Sequence, residues 1–175
     1  MFDSPSFMEV VMFYTGIGSR ETPREVMVVM YHFAIKMAER GLILRSGGAN
    51  GADTAFEYGA RKAQGKMEIY LPWYNFNGRD SQFTQPTDAA YALASEIHPA
   101  WDRCSRGARA LHARSCHQVL GMDLATPSAF LVCWTPGGKN VGGTRTAITL
   151  AKMSNIKVFN LFNHDIGLLQ MGLKK

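Results

Sequence analysis

The chain is short of cysteines, of charge and of long apolar runs, and each shortage bounds what it can be. Cys104, Cys116 and Cys133 are the only three cysteines among 175 residues, and no two form a CxxC pair. The N-terminus shows neither the basic start nor the long apolar core of a signal peptide. An odd cysteine count in that setting points to reduced thiols and a cytoplasmic location. No apolar run is long enough to span a bilayer. Charged residues make up 19%, yet hydrophobic residues reach 46%, which excludes a disordered chain. Repeats, low-complexity blocks and linkers are also missing, so 1–175 reads as one domain of ordinary size. Its ends say least: 1–8 reads as a loose lead, and a short mobile tail from about 164 carries Lys174 and Lys175. The net charge of +5 and pI near 9.2 favour anionic ligands and permit nucleic acid.

Glycine, by contrast, is plentiful and placed with a pattern. Leu42 to Leu44 reads as a short buried strand, followed by the turn Ser46-Gly47-Gly48-Ala49-Asn50-Gly51 and a helix from Ala52. Such a turn sets backbone N–H groups at a helix N-terminus, where they and the helix dipole suit an anion, above all phosphate. The Gly-Gly-x-x-Gly order is neither the dinucleotide fingerprint nor a Walker loop. Asp53 and Glu57 follow at i, i+4, so both can face one site. The pattern recurs: strand 130–133 runs through Trp134 and Pro136 into Gly142-Gly143-Thr144 and a helix ending near Met153. Two such loops at the carboxyl ends of parallel strands border one crevice.

The remaining elements follow from periodicity. Strands are expected at 10–14, 67–71 and 156–161 as well, with helices over 22–40, 52–64, 87–98 and 107–120. Thr22-Pro23 with Glu25 reads as a helix start, and Gly41 as its stop. Met27, Met30, Tyr31, Ala34 and Met37 share a face and read as core. The alternation makes an α/β Rossmann-like fold, a mostly parallel sheet of about five or more strands with helices on both faces. Trp73, Tyr74 and Phe76 follow a strand end, where aromatics can stack on a base or shield a loop. Arg103, Arg106, Arg109 and Arg114 make one region basic. His112, Cys116 and His117 cluster with Cys104 nearby, but Cys116 and His117 point about 100° apart on a helix. That spacing gives no metal site, and no cofactor is expected. Asp123 either contacts a ribose or caps a turn.

Thr15-Gly16-Ile17-Gly18-Ser19-Arg20, the turn from Ser46 to Asp53, and Gly142-Gly143-Thr144 together resemble the SLOG superfamily. That group includes the DprA/Smf DNA-processing proteins, the YpsA-like proteins and the LOG phosphoribohydrolases. The resemblance runs from Phe13 to about Leu161. It implies a Rossmann-like fold, a site for a nucleotide-type ligand, and a homo-oligomer, most simply a homodimer. It assigns ligand contacts to Gly16, Gly18, Ser19, Arg20, Ser46, Gly47, Gly48, Asn50, Gly51, Asp53, Gly142, Gly143 and Thr144. In the superfamily an arginine on the helix before the fourth strand often reaches the site, and Arg114 matches it. Trp73 or Trp134 is expected to cover the base. The LOG motif ends in a glutamate where this chain has Ala147, and the loop from Pro136 to Thr144 is longer. Three functions stay open: a nucleotide sensor or sequestering protein, an N-glycosidic hydrolase using Asp53 or Glu57, and a DprA-like single-stranded DNA binder.

Overall fold

The computed structural model describes residues 9–163; the lead at 1–8 and the tail from 164, with Lys174 and Lys175, lie outside the described residues. Five strands, β1 (Phe13–Gly16), β2 (Ile43–Ser46), β3 (Met67–Ile69), β4 (Phe130–Cys133) and β5 (Lys157–Asn160), form one sheet in the order β3-β2-β1-β4-β5. Every neighbouring pair is parallel, with Phe13 against Ile43, Thr15 against Leu131, Ser46 against Ile69 and Leu131 against Val158. The helices are α1 (Arg24–Glu39), α2 (Ala52–Lys62), α3 (Asp88–Ile97), α4 (Arg106–Leu120) and α5 (Arg145–Met153). The fold is the expected Rossmann-like arrangement. None of the helices among the described residues is long and apolar enough to cross a membrane.

The strands are short and apolar because a parallel sheet is covered on both faces. Alternation along them divides the core in two. Tyr14, Leu44, Phe130 and Val132 pack with Met30, Phe33 and Met37 of α1 and Phe56 of α2. Ile17, Leu131 and Cys133 pack with Cys116 and Val119 of α4 and Ile148 of α5. Of the expected methionine face, Met30, Ala34 and Met37 are fully buried, joined by Phe33.

Helix starts follow local chemistry, with one correction. Thr87 and Ser105 cap α3 and α4 by accepting the N–H groups of Ala90 and Ala108. Thr22 does not cap α1. Its hydroxyl donates back to the Ser19 carbonyl at 2.6 Å, and Pro23 is the capping residue, with no side-chain bond. Gly41, at φ 81°, ends α1 as expected.

The chain builds β1, β2 and β3 outward to one edge, then returns through α3 and α4 to lay β4 on the other side of β1. The loops after β1 and β4 therefore diverge, and a crevice opens at this switch point.

Candidate functional site

The crevice encloses about 540 Å³, within the range of small-molecule sites. Its walls come from the loop after β1, the turn before α2, the segment after β3, the middle of α4 and the loop before α5. Of the residues expected to touch ligand, Gly18, Ser19, Arg20, Asn50, Asp53, Trp73, Arg114, Gly142, Gly143 and Thr144 line it. Gly16, Ser46, Gly47, Gly48, Gly51, Glu57 and Trp134 do not.

The first glycine turn is closed upon the protein. Gly51 holds φ 84° and ψ −122°, a region open essentially to glycine alone, and a Cβ there would lie 2.8 Å from the Ser19 carbonyl oxygen. The N–H of Ala52 donates to that same carbonyl, and the Ser46 hydroxyl donates to the Gly16 carbonyl at 2.7 Å. The anion at this helix start is the protein's own. Asp53 accepts the N–H of Ala49 at 3.3 Å and is also hydrogen-bonded by the backbone of Gly18. Of the donors expected to be free for phosphate, the Ala49 N–H is thus used to seat a carboxylate and the Ala52 N–H to meet a carbonyl.

Asp53 is 3% exposed. Burial pushes its carboxyl up to about 6; Arg114 and the backbone bonds pull it down, and Glu57 adds to the rise. Glu57 does not join it in the crevice. Its carboxylate is held 3.1 Å from Arg61 one turn along α2 and 3.1 Å from Arg79 of the segment after β3. Arg79 also donates to the Thr54 hydroxyl. This pair of ionic contacts turns Glu57 into a brace between α2 and that segment.

Arg114 is the cation of the site. It is 6% exposed, and Nη1 donates to the carbonyls of Gly47 and Tyr70. Nε is buried without a partner, and no carboxylate among the described residues lies within ion-pair distance. Burial lowers its pKa, which Asp53 partly offsets. The other large buried arginine, Arg45, is 2% exposed and sits 2.8 Å from Glu68 with its guanidinium 3.8 Å over the Phe13 ring. Gly47 serves Arg114 directly, since a Cβ there would fall against Nη1 and against the Gln118 amide.

Gln118 itself was not anticipated. It lines the crevice, and its side-chain amide has no protein partner among the described residues. Leu111, Arg114 and Gln118 recur at i, i+3 and i+7, the stripe that α4 turns to the crevice, and this spacing was available in the sequence.

The aromatic expectations divide. Trp73 lines the crevice and meets Phe76 edge to face at 5.1 Å; Phe76 in turn lies 5.8 Å from the Arg114 guanidinium. Tyr74 is exposed. Trp134 points elsewhere. Alternation continues past β4, so it sits with Phe130 and Val132 on the α1 side, and its ring faces Phe162 at 6.4 Å. It serves the site through its carbonyl, which accepts the Ser19 N–H at 3.0 Å.

The loop before α5 is open. A Cβ on Gly142 or Gly143 would meet nothing within 4 Å. The N–H groups of Gly142 and Gly143 donate to no acceptor among the described residues. Both glycines line the crevice just before α5, as does Arg20.

The basic region does not form one face. Arg114 is buried, Arg109 donates to the Trp101 carbonyl beneath that indole, and Arg103 and Arg106 are exposed. Asp123 caps a turn, accepting from the Ala125 N–H and the Thr126 hydroxyl. His117 is held by Thr87 and the Gly121 carbonyl. Cys116 is buried among apolar side chains, which push its thiol up to about 12. His112 turns away from both, towards His98 and Cys104.

No family model matches the chain, and no curated protein does. Among solved structures it is similar to the molybdenum cofactor (Moco) carrier protein of Chlamydomonas reinhardtii in two structures. One is 18% identical, with 85% of this chain and 73% of that one covered and a TM-score of 0.49. The other is 16% identical over 94% and 99%, with a TM-score of 0.45. It is also similar to the DNA processing protein A (DprA) of Streptococcus pneumoniae, 15% identical over 86% and 58%, with a TM-score of 0.40. The likeness to each is one of fold alone.

Proposed function

We propose that the crevice binds a phosphate-bearing, nucleotide-type ligand and holds it intact, as a sensor or sequestering protein does. The observation that carries this reading is Arg114, a guanidinium nine-tenths buried against the crevice without a carboxylate at ion-pair distance. Asp53 offsets this charge only in part, from beyond ion-pair distance; a buried cation so placed is costly unless a further anion completes it, and the planar fork of arginine suits phosphate. The N–H groups of Gly142 and Gly143, which meet no acceptor among the described residues, supply donors just before α5, Arg20 supplies charge at the mouth, and Gln118 supplies a neutral amide. Trp73 and Phe76 offer a stacking surface, worth about 1–3 kcal/mol per base.

This surface does not distinguish a purine from a phosphorylated pterin, so the test uses both. Small molecules released by denaturing the purified protein are identified by mass spectrometry. Melting temperatures are then measured with nucleoside mono-, di- and triphosphates and phosphorylated pterins. A ligand that co-purifies, or raises the melting temperature in wild type but not in Arg114→Met, is the expected result. No co-purifying molecule and no shift across the panel sink the proposal.

One observation favours a second reading, N-glycosidic hydrolysis. Asp53 is a buried crevice carboxyl held near 6, suited to activate water or stabilise an oxocarbenium-like sugar. Chromatography after incubation with nucleoside monophosphates reads it directly; intact nucleotides rule it out. A homodimer and a cytoplasmic location belong to the same proposal. An apolar groove between α1 and α2, with Val28 and Tyr58 each about half exposed, is the face that supports the dimer. Light scattering of Val28→Glu should then report a monomer, and a wild-type monomer refutes it.

A further inference from the structure

Three side chains that sequence spacing kept apart converge behind the α4 wall of the crevice. His98 follows α3, Cys104 lies just before α4, and His112 sits in the middle of α4. One ligand-type atom from each lies within 4.8 Å of the other two. Cys104 Sγ is 3.8 Å from His98 Nδ1, and the two imidazole rings are 4.4 Å apart between centroids. The ring positions are set by neighbours. Thr146 holds Nδ1 of His112 at 2.8 Å, which leaves Nε2 for a ligand bond. The Ala100 N–H donates to Nδ1 of His98 at 3.1 Å, so that nitrogen carries a lone pair rather than a proton.

We propose that His98, Cys104 and His112 bind a zinc-type transition-metal ion. Two imidazoles and one thiolate are a borderline-soft set that suits zinc and cobalt and discriminates against calcium and magnesium. A tetrahedral ion with bonds of about 2.0–2.3 Å sets its ligand atoms roughly 3.3–3.6 Å apart, so the trio draws together by about 1.5 Å or less. On binding, the Cys104 thiol gives up its proton to solvent and its contact with the Ala100 carbonyl. The metal takes the Nδ1 lone pair of His98 in place of the Ala100 N–H. The Thr146 hydroxyl accepts from His112 Nδ1–H, as outer partners of ligating histidines do. Three protein ligands leave one position, filled by water through the half-exposed side of His98 and Cys104.

The site is tested with metal alone, without nucleotide. Cobalt(II) titrated into the reduced full chain should give one equivalent of binding, a thiolate-to-cobalt charge-transfer band and tetrahedral d–d bands. Cys104→Ser should lose the charge-transfer band. His98→Ala should weaken zinc by roughly 100-fold or more in competition with a chromogenic chelator. His32→Ala, on the exposed side of α1, should change neither. Should His98→Ala melt without cooperativity, the spectrum of Cys104→Ser decides alone. Absence of the band in wild type, its persistence in Cys104→Ser, or a zinc affinity of a cooperatively folded His98→Ala equal to that of wild type overturns the proposal.

Discussion

The two glycine turns look alike in sequence and do opposite work. In Ser46–Gly51 the glycines let protein meet protein: Gly47 admits Arg114 and Gly51 admits the Ser19 and Arg20 backbone. In Gly142–Gly143 none of the described residues lies where a Cβ would point, and none of them accepts from the N–H groups. The first turn builds the wall and the second leaves room beside it. A glycine motif therefore reports close approach of something, and only the surroundings say whether that something is the chain itself or a ligand.

The largest expected effect lies in the closed turn. Gly51→Ala adds a Cβ under 3 Å from three backbone atoms, at a φ of 84°. Backbone cannot swing aside as a side-chain end does, so the loss should be about 3 kcal/mol or more in a urea or thermal melt. A cost below about 1 kcal/mol would show that the turn is looser than the contacts indicate.

The carboxylate that fills this turn gives the next effect. The folded carboxyl of Asp53 titrates near 6, above the ordinary value of 3.8. Its contribution to stability is therefore fully present below about 3.8 and lost as pH rises through about 6. The full span is about 3 kcal/mol by linkage. Asp53→Asn removes the ionised form but gives up one backbone acceptor, so it should stabilise by about 1–3 kcal/mol at pH 8 and not at pH 4. Parallel stability-against-pH curves for the two proteins refute this.

How much of this was legible in the sequence depends on the range of the interaction. The strand, turn and helix order is local, and periodicity placed every strand and helix, with ends wrong by a few residues. β1 begins at Phe13 rather than 10, since its partners β2 and β4 define where pairing starts. The crevice was legible because switch points follow from topology. Glu57 was misplaced because its partner Arg79 is 22 residues away, in a segment with no periodic pattern. Trp134 was misplaced although strand alternation, carried one residue beyond β4, puts it with Phe130 and Val132. The meeting of His98, Cys104 and His112 depends on how α3 returns to α4, which spacing along one helix does not encode.

Arg114→Met carries the comparison to the ligand. Methionine removes the charge but leaves the Gly47 and Tyr70 carbonyls without their donor and Asp53 without its nearby cation, so stability should fall by about 1–3 kcal/mol. Affinity for a phosphate-bearing ligand should fall roughly 10- to 100-fold. Equal affinity in calorimetry would remove the anion clamp.

The smallest effect on the fold should come from the open turn, and it is the most discriminating. Gly143 does not hold a positive φ, and a Cβ there meets nothing within 4 Å. Gly143→Ala should therefore melt within about 0.5 kcal/mol of wild type. If a phosphate sits against that N–H group, the added methyl crowds the ligand and affinity should drop several-fold, with the melt unchanged. Loss of stability would mean that the open turn is packed like the closed one. Unchanged affinity would place the phosphate elsewhere, against Arg20 and Arg114 alone. Only a turn kept open for a ligand separates the two readouts, because a turn packed by the chain itself must lose both together.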